Sequence, residues 1–194
     1  GLVPEVPIGR IPKGDMKAYF EGSPRILRAL MNLPKPVIAM INGHAHGAGL
    51  EICLACDFRI ASEEATFAQA QVLRGIVPGT VLLPRYVGIG KATEMLMLGE
   101  RFDAKEAKRL GIVNQVVPAA QLEETVREFA TRLAKGPTKA IGLLKIAQNR
   151  GLDVDIDKAF EYQAYAQMLS MQTEDVVEGV AAFMEKREPR FKGK

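Results

Sequence analysis

Tryptophan is absent from these 194 residues, and cysteine and histidine occur only twice each. Two cysteines cannot build a disulfide framework, and with two histidines they fall short of a repeated metal-ligand pattern. Cys53 and Cys56 belong to the apolar helical stretch around Ile52 to Ala55, with no second pair and no downstream histidine, so they read as buried small hydrophobes. His44 and His46 flank Ala45 beside a glycine-rich turn and offer too few ligands for zinc, so no metal is expected. Long apolar runs are missing too. Val37 to Ile41 and Ile76 to Val77 fall far short of the roughly 20 residues of a membrane-spanning helix, and no charged-then-apolar signal segment opens the chain. A soluble, cytoplasmic protein without a membrane partner is expected. A net charge of +3 is too small to argue for nucleic acid. The one basic cluster, Lys186, Arg187, Arg190, Lys192 and Lys194, reads by itself as a solvated end.

What is present suits one soluble domain with a real core, since 47% of the residues are hydrophobic and 25% charged. Gly1 to Gly14 carries prolines and glycines without a period and reads as a loop. Met16 to Leu33 is loosely helical, interrupted by Gly22 and Pro24 and stopped by Pro34 and Pro36. Val37 to Ile41, bounded by proline and by Asn42-Gly43, looks like a strand buried on both faces. Phe58 to Ala61 and Ile112 to Val117 are further strand candidates. Helices are expected over Leu50 to Ala55 and over Ala104 to Leu110, the latter with an Asp103-x-x-Glu106 cap and Gly111 at its end. The alternation points to an α/β core. After Pro118 four helix-length segments follow. Leu122, Val126, Phe129, Ala130 and Leu133 mark one apolar face, Pro137 opens the second helix, Ile156 to Met168 holds the third, and the last begins at Thr173. Three regions result: 1–34, a loop and helix; 35–118, the α/β core; and 119–194, a helical layer large enough to serve subunit contact.

The segment Asn42 to Glu51 carries the chemistry. A strand runs into Gly47, Ala48 and Gly49 and then a helix, so unpaired amides face outward where small residues let a ligand oxygen approach. Such amides can hold a carbonyl oxygen that becomes an enolate. Tight turns also need glycine for purely structural reasons, so the spacing to later residues decides. Asn-Gly-x-Ala-x-Gly-x-Gly-x-Glu over Asn42 to Glu51 is followed by Cys56-Asp57 and Phe67. Then come Leu73-x-Gly75-Ile76-x-Pro78-Gly79, Leu83-Pro84-Arg85-x-x-Gly88 and Ala104-x-x-Ala107-x-x-x-Gly111-x-Val113. Over about Lys35 to Lys192 this pattern closely resembles the crotonase (enoyl-CoA hydratase/isomerase) superfamily.

The resemblance implies a repeated ββα core and a carboxy-terminal helical region that builds homotrimers or homohexamers. It implies an acyl-CoA substrate, with coenzyme A entering as part of that substrate and no separate cofactor. Ala48 corresponds to one of the two backbone amides of the family's oxyanion hole, flanked by Gly47 and Gly49. The other amide belongs to an Ala-Gly-x-Asp-like turn that this sequence does not show, so an amino-terminal portion is expected to be lacking. Glu51 corresponds to the first catalytic glutamate of the hydratases, although a glutamate in a first helical turn is also favoured by the helix dipole alone. The second glutamate corresponds to Gln71, and an amide cannot deliver a proton as an acid. Gly79 stands where some relatives carry an aspartate. Phe183 and Lys186 resemble the family segment that reaches a neighbouring subunit's CoA; core packing for Phe183 and simple solvation for Lys186 are the competing readings. Three functions therefore stay open: a hydratase or isomerase using Glu51, a thioester hydrolase or decarboxylase in which Gln71 positions water or a carboxylate, and a catalytically weak CoA-binding subunit.

Overall fold

A computed structural model describes residues 13–194. Helix α1 (Lys13–Asn32) is followed by two short strands, β1 (Ile38–Ile41) and β2 (His44–His46), and by α2 (Ala48–Ala55). The pattern then repeats, with β3 (Phe58–Ser62), β4 (Thr66–Ala68), a 3-10 turn (Ala70–Arg74) and α3 (Leu83–Leu98). After β5 (Phe102–Asp103), α4 (Ala104–Arg109) and β6 (Gln115–Val117) come four helices: α5 (Leu122–Ala134), α6 (Thr138–Gly151), α7 (Ile156–Ser170) and α8 (Glu174–Glu185). The carboxy-terminal region is helical, as its apolar periodicity requires, and three helices start on side-chain caps. Asp103, Asp155 and Thr173 accept from the amides of Glu106, Lys158 and Val176.

Successive strands leave for different sheets. β1, β3 and β6 form one parallel sheet, with Ile38 opposite Phe58 and Ile60 opposite Gln115. β2 and β4 pair in parallel in the other, with Ala45 opposite Phe67, and β5 closes it antiparallel to β4. Between the sheets and the helices lie fully buried Leu50, Phe67, Leu83, Ile112 and Val113, each adding roughly 1.5–3 kcal/mol of burial. The Phe67 and Phe102 rings stack at 5.5 Å and tie β4 to β5.

Several expectations change. The loop foreseen over Gly1 to Gly14 lies mostly outside the described residues, and Lys13 and Gly14 already belong to α1. Nor is α1 interrupted at Gly22 or Pro24: Pro24 removes one donor, but Leu27, Leu30 and Met31 pack against the core and hold the helix on course. β1 is not buried on both faces, because Met40 is 49% exposed on a strand whose second edge carries no partner among the described residues. The strand expected over Ile112 to Val117 is confined to Gln115–Val117, with Ile112 and Val113 buried in the preceding turn where their amides bond to the Ala107 carbonyl. β2, β4, β5 and α3 had no clear sequence signal; three are two- or three-residue strands, and α3 bends at Gly88, whose φ is 76°.

A buried ion pair joins the helical layer to the core. Lys145 of α6, whose side chain is 5% exposed, donates to Asp57 Oδ2 at 2.7 Å and to the carbonyls of Leu30 and Lys35. The same carboxylate oxygen accepts from the Val37 amide at 2.7 Å. One lysine thus links the end of α1, the proline-rich connection and the start of β3. Removing one partner of such a pair strands the other, so Lys145→Met is expected to lower unfolding free energy by about 3 kcal/mol, read as a shifted urea midpoint at unchanged slope.

Candidate active site

The site begins at Gly47, the residue before α2. Its φ of 55° and ψ of −122° suit glycine, and a β-carbon there would sit 3.0 Å from Gln71 Nε2. The Gly47 amide donates to the Ala68 carbonyl at 2.8 Å, which pins the turn to the end of β4. Ala48 and Gly49 open the helix, where amides have no carbonyl one turn behind them. Among the described residues neither amide has a protein acceptor, and Ala48 is exposed. A β-carbon on Gly49 would meet nothing within 4 Å, so contact alone does not require glycine there.

Side chains cap the opposite end of α2. Tyr86 donates its hydroxyl to the Leu54 carbonyl at 2.7 Å, and buried Arg59 donates to the Cys56 carbonyl while its guanidinium lies 4.5 Å from the Tyr86 ring centroid. A cation at the carboxy end complements the negative end of the helix dipole, and the free donors at the amino end leave its positive end open. Burial pushes the Cys53 thiol up to about 11, and Cys56 also moves upward, so these thiols are held protonated.

Glu51 stands one turn into α2, with its amide on the Gly47 carbonyl. Its Oε1 accepts from the Gly79 amide at 3.0 Å. A β-carbon at Gly79 would lie 2.2 Å from Glu51 Cδ, so any larger residue there, aspartate included, would displace this carboxylate. Burial raises the Glu51 carboxyl above its ordinary value, and the Gly79 hydrogen bond opposes the rise by favouring the charged form. Gln71, in the 3-10 turn, lays its amide beside Gly47, and its Oε1 is buried without a hydrogen-bond partner among the described residues.

Gly47, Ala48, Gly49, Glu51, Gln71 and Gly79 lie around the first turn of α2. Phe183 and Lys186 do not join them through any hydrogen bond or ion pair among the described residues. Phe183 is 81% exposed, which overturns core packing. Lys186 ends α8 in the left-handed conformation, φ 54°, the only non-glycine residue with positive φ among the described residues. Two features had no sequence signal. The Gly79 amide is a backbone donor and leaves no residue-type trace. Gln69 is 2% exposed with both amide atoms unpaired among the described residues, and nothing in its neighbours announces that burial. His44 and His46 both hydrogen bond to the Thr66 hydroxyl, and no group of three or more metal-ligating side chains occurs among the described residues.

Two ββα units, with open amides and a carboxylate on one helical turn, are the features to set beside known proteins. A family model described as enoyl-CoA hydratase/isomerase matches residues 11–194. The chain belongs to this family, the crotonase superfamily. It is 42% identical over 170 residues to the crotonyl-CoA hydratase of Syntrophomonas wolfei, covering 86% of this chain and 65% of that protein. It is 43% identical over 168 residues to the short-chain-enoyl-CoA hydratase of Clostridium acetobutylicum, covering 84% and 64%. The crystal structure of an enoyl-CoA hydratase from Bacillus anthracis superposes with a TM-score of 0.90 at 38% identity, covering 96% of this chain and 73% of that one. The chain thus spans about two thirds of the length of the curated relatives it matches.

The raised Glu51 carboxyl has a thermodynamic signature. The native state holds this proton more tightly than the unfolded chain, so its stability is complete below the ordinary carboxylate range. It falls as pH rises from that range through the folded value. Glu51→Gln keeps an acceptor for the Gly79 amide and removes the buried charge. Its gain in Tm over the parent is expected to be larger near pH 7 than near pH 4; equal gains at both would contradict the shift.

Proposed function

We propose that this chain carries the acyl-CoA site of an enoyl-CoA hydratase/isomerase-type enzyme. The observation that supports it most is the juxtaposition on one helical turn of the unpaired Ala48 amide and a Glu51 carboxylate steered by Gly79. In this reading the thioester carbonyl oxygen accepts from the Ala48 amide, which forms half of an oxyanion hole, while Gly47 and Gly49 let the substrate approach the backbone. Negative charge developing on that oxygen as the enolate forms is stabilised by the amide and the helix dipole. Glu51 takes a proton from the substrate and returns one; its raised carboxyl value brings it nearer to neutral pH, where a group can serve in both directions.

Gln71 shapes which reaction is efficient. Hydration by two carboxylates needs a second acid/base, and an amide can only orient a water. A proton shift across three carbons needs one carboxylate, which Glu51 supplies. The same observation favours a second reading, an acyl-CoA binder with weak turnover; hydrolysis or decarboxylation of the thioester would use Gln71 to position water or a carboxylate. Phe183 and Lys186 serve, in this proposal, the CoA of a neighbouring subunit. The exposed apolar side chains of Val177, Val180, Phe183 and Met184 on α8, and of Phe160 and Met168 on α7, support a homotrimer or homohexamer.

Glu51→Gln is expected to lower turnover of a 2-enoyl-CoA or 3-enoyl-CoA by a factor of about 100 to 10,000, and Gln71→Glu to raise hydration of crotonyl-CoA by about 100-fold. Acyl-CoA binding without turnover in every variant would select the weak binder, and release of free CoA would select the hydrolase. Sedimentation equilibrium is expected to give a mass three or six times that of the chain; a monomer at micromolar concentration would remove the assembly from the proposal.

A further inference from the structure

Beside the carbonyl-binding turn lies a cavity of about 440 Å3 whose lining includes His46, Gly47, Gln71, Arg74, Glu100 and Arg101. Its two arginines differ from five others in the fold that are held by protein acceptors. Arg59, Arg85, Arg109, Arg127 and Arg187 are engaged by carbonyls or carboxylates. Arg101 makes no hydrogen bond or ion pair among the described residues, and Arg74 has only a 3.4 Å contact to the Ala70 carbonyl. Nearby carboxylates do not claim Arg101. Asp103 caps α4 through the Glu106 amide, Glu106 pairs with Arg109, and Glu100 on the rim forms no ion pair among the described residues. His46 stays a neutral partner: it bonds to Thr66 at 3.0 Å, and burial, Arg101 and His44 all lower its proton affinity. On the wall shared with the active site, Gln71 Nε2 has no protein acceptor among the described residues, and its Oε1 is buried unpaired.

We infer that this cavity takes a carboxylate carried by the acyl part of the substrate, so that the preferred thioester is that of a dicarboxylic acid. Two guanidiniums open to one cavity suit planar, bidentate recognition of an anionic oxygen pair, and two arginines outweigh one rim glutamate. Position selects the source of the anion. Gly47 lines the cavity and immediately precedes Ala48, so the cavity adjoins the turn proposed to hold the thioester carbonyl. A carboxylate at the end of a short acyl chain satisfies this; the phosphates of CoA, at the far end of the pantetheine arm, do not. Gln71 gains a role by the same argument, because a carboxamide in this wall leaves the approach free of a second negative charge that a glutamate would impose.

This inference rests on the acyl-CoA reading above, and binding of unreactive thioesters separates the two. Calorimetric titration of the protein with glutaryl-CoA and butyryl-CoA is expected to show glutaryl-CoA binding about 10-fold tighter. In Arg101→Gln the ratio is expected to fall toward one while butyryl-CoA affinity is unchanged; Arg74→Gln should lower it partway. Arg101 is exposed, so its replacement leaves the core intact. Equal affinities in the parent protein, or an equal loss of both ligands in Arg101→Gln, would overturn the carboxylate site and leave the acyl-CoA reading standing. If neither thioester binds, both fail.

Discussion

The hydrogen bond from the Gly47 amide to the Ala68 carbonyl holds the two ββα units in one frame. Gly47 joins β2 to α2, while Ala68 ends β4 two positions before the 3-10 turn that carries Gln71. Because β2 and β4 pair in parallel with His46 opposite Ala68, both turns emerge at the same end of the sheet. That single register brings the Ala48 amide, Glu51 and Gln71 together from segments about twenty residues apart in the chain. A slip by one residue would face every side chain of β2 the wrong way. The left-handed φ at Gly47 is the local cost of the arrangement, and only a residue without a β-carbon meets it beside Gln71.

The unequal ends of α2 extend the same logic. In a helix of eight residues the terminal groups are a large share of the backbone polar atoms, and each buried one must find a partner. At the carboxy end Tyr86 and Arg59 supply those partners from α3 and β3. At the amino end the protein leaves donors open. Arg59 is fully buried yet reaches several carbonyls and a ring face, so its charge is compensated. Gln69 is just as buried with no partner among the described residues. The contrast places the polar debt of this fold next to its candidate active site.

Legibility in the sequence followed the length and periodicity of each element. The four carboxy-terminal helices were readable because eleven or more residues of 3.6-residue periodicity average out local accidents, and Asp103, with a capping pattern spelled out in side chains, was readable for the same reason. Strands of two or three residues carry no period. β2 was hidden inside what looked like a turn, and α3 was masked by Pro84, Gly88 and Gly90. Ala48, Glu51, Gln71 and Gly79 were singled out only through the resemblance to a family that the motif spacing carries. The reason for Gly79 was not legible, since sequence shows a missing side chain but not the carboxylate that fills the vacated space. Long-range pairs such as Lys145 with Asp57 leave no local trace either, being 88 positions apart.

Glycine at 79 and glutamine at 71 belong to one constraint. With the Glu51 carboxylate seated on the Gly79 amide, an acidic side chain at 79 would collide with it and repel it. A carboxylate at 71 would add a second negative charge across the same turn and raise the Glu51 carboxyl further. Neutral groups at both positions leave Glu51 as the sole acid of this cluster, within reach of an amide that favours its ionised form. A lone carboxylate so placed suits the single proton transfer proposed above, and the anionic substrate we infer would meet Arg74 and Arg101 without a competing acid at position 71.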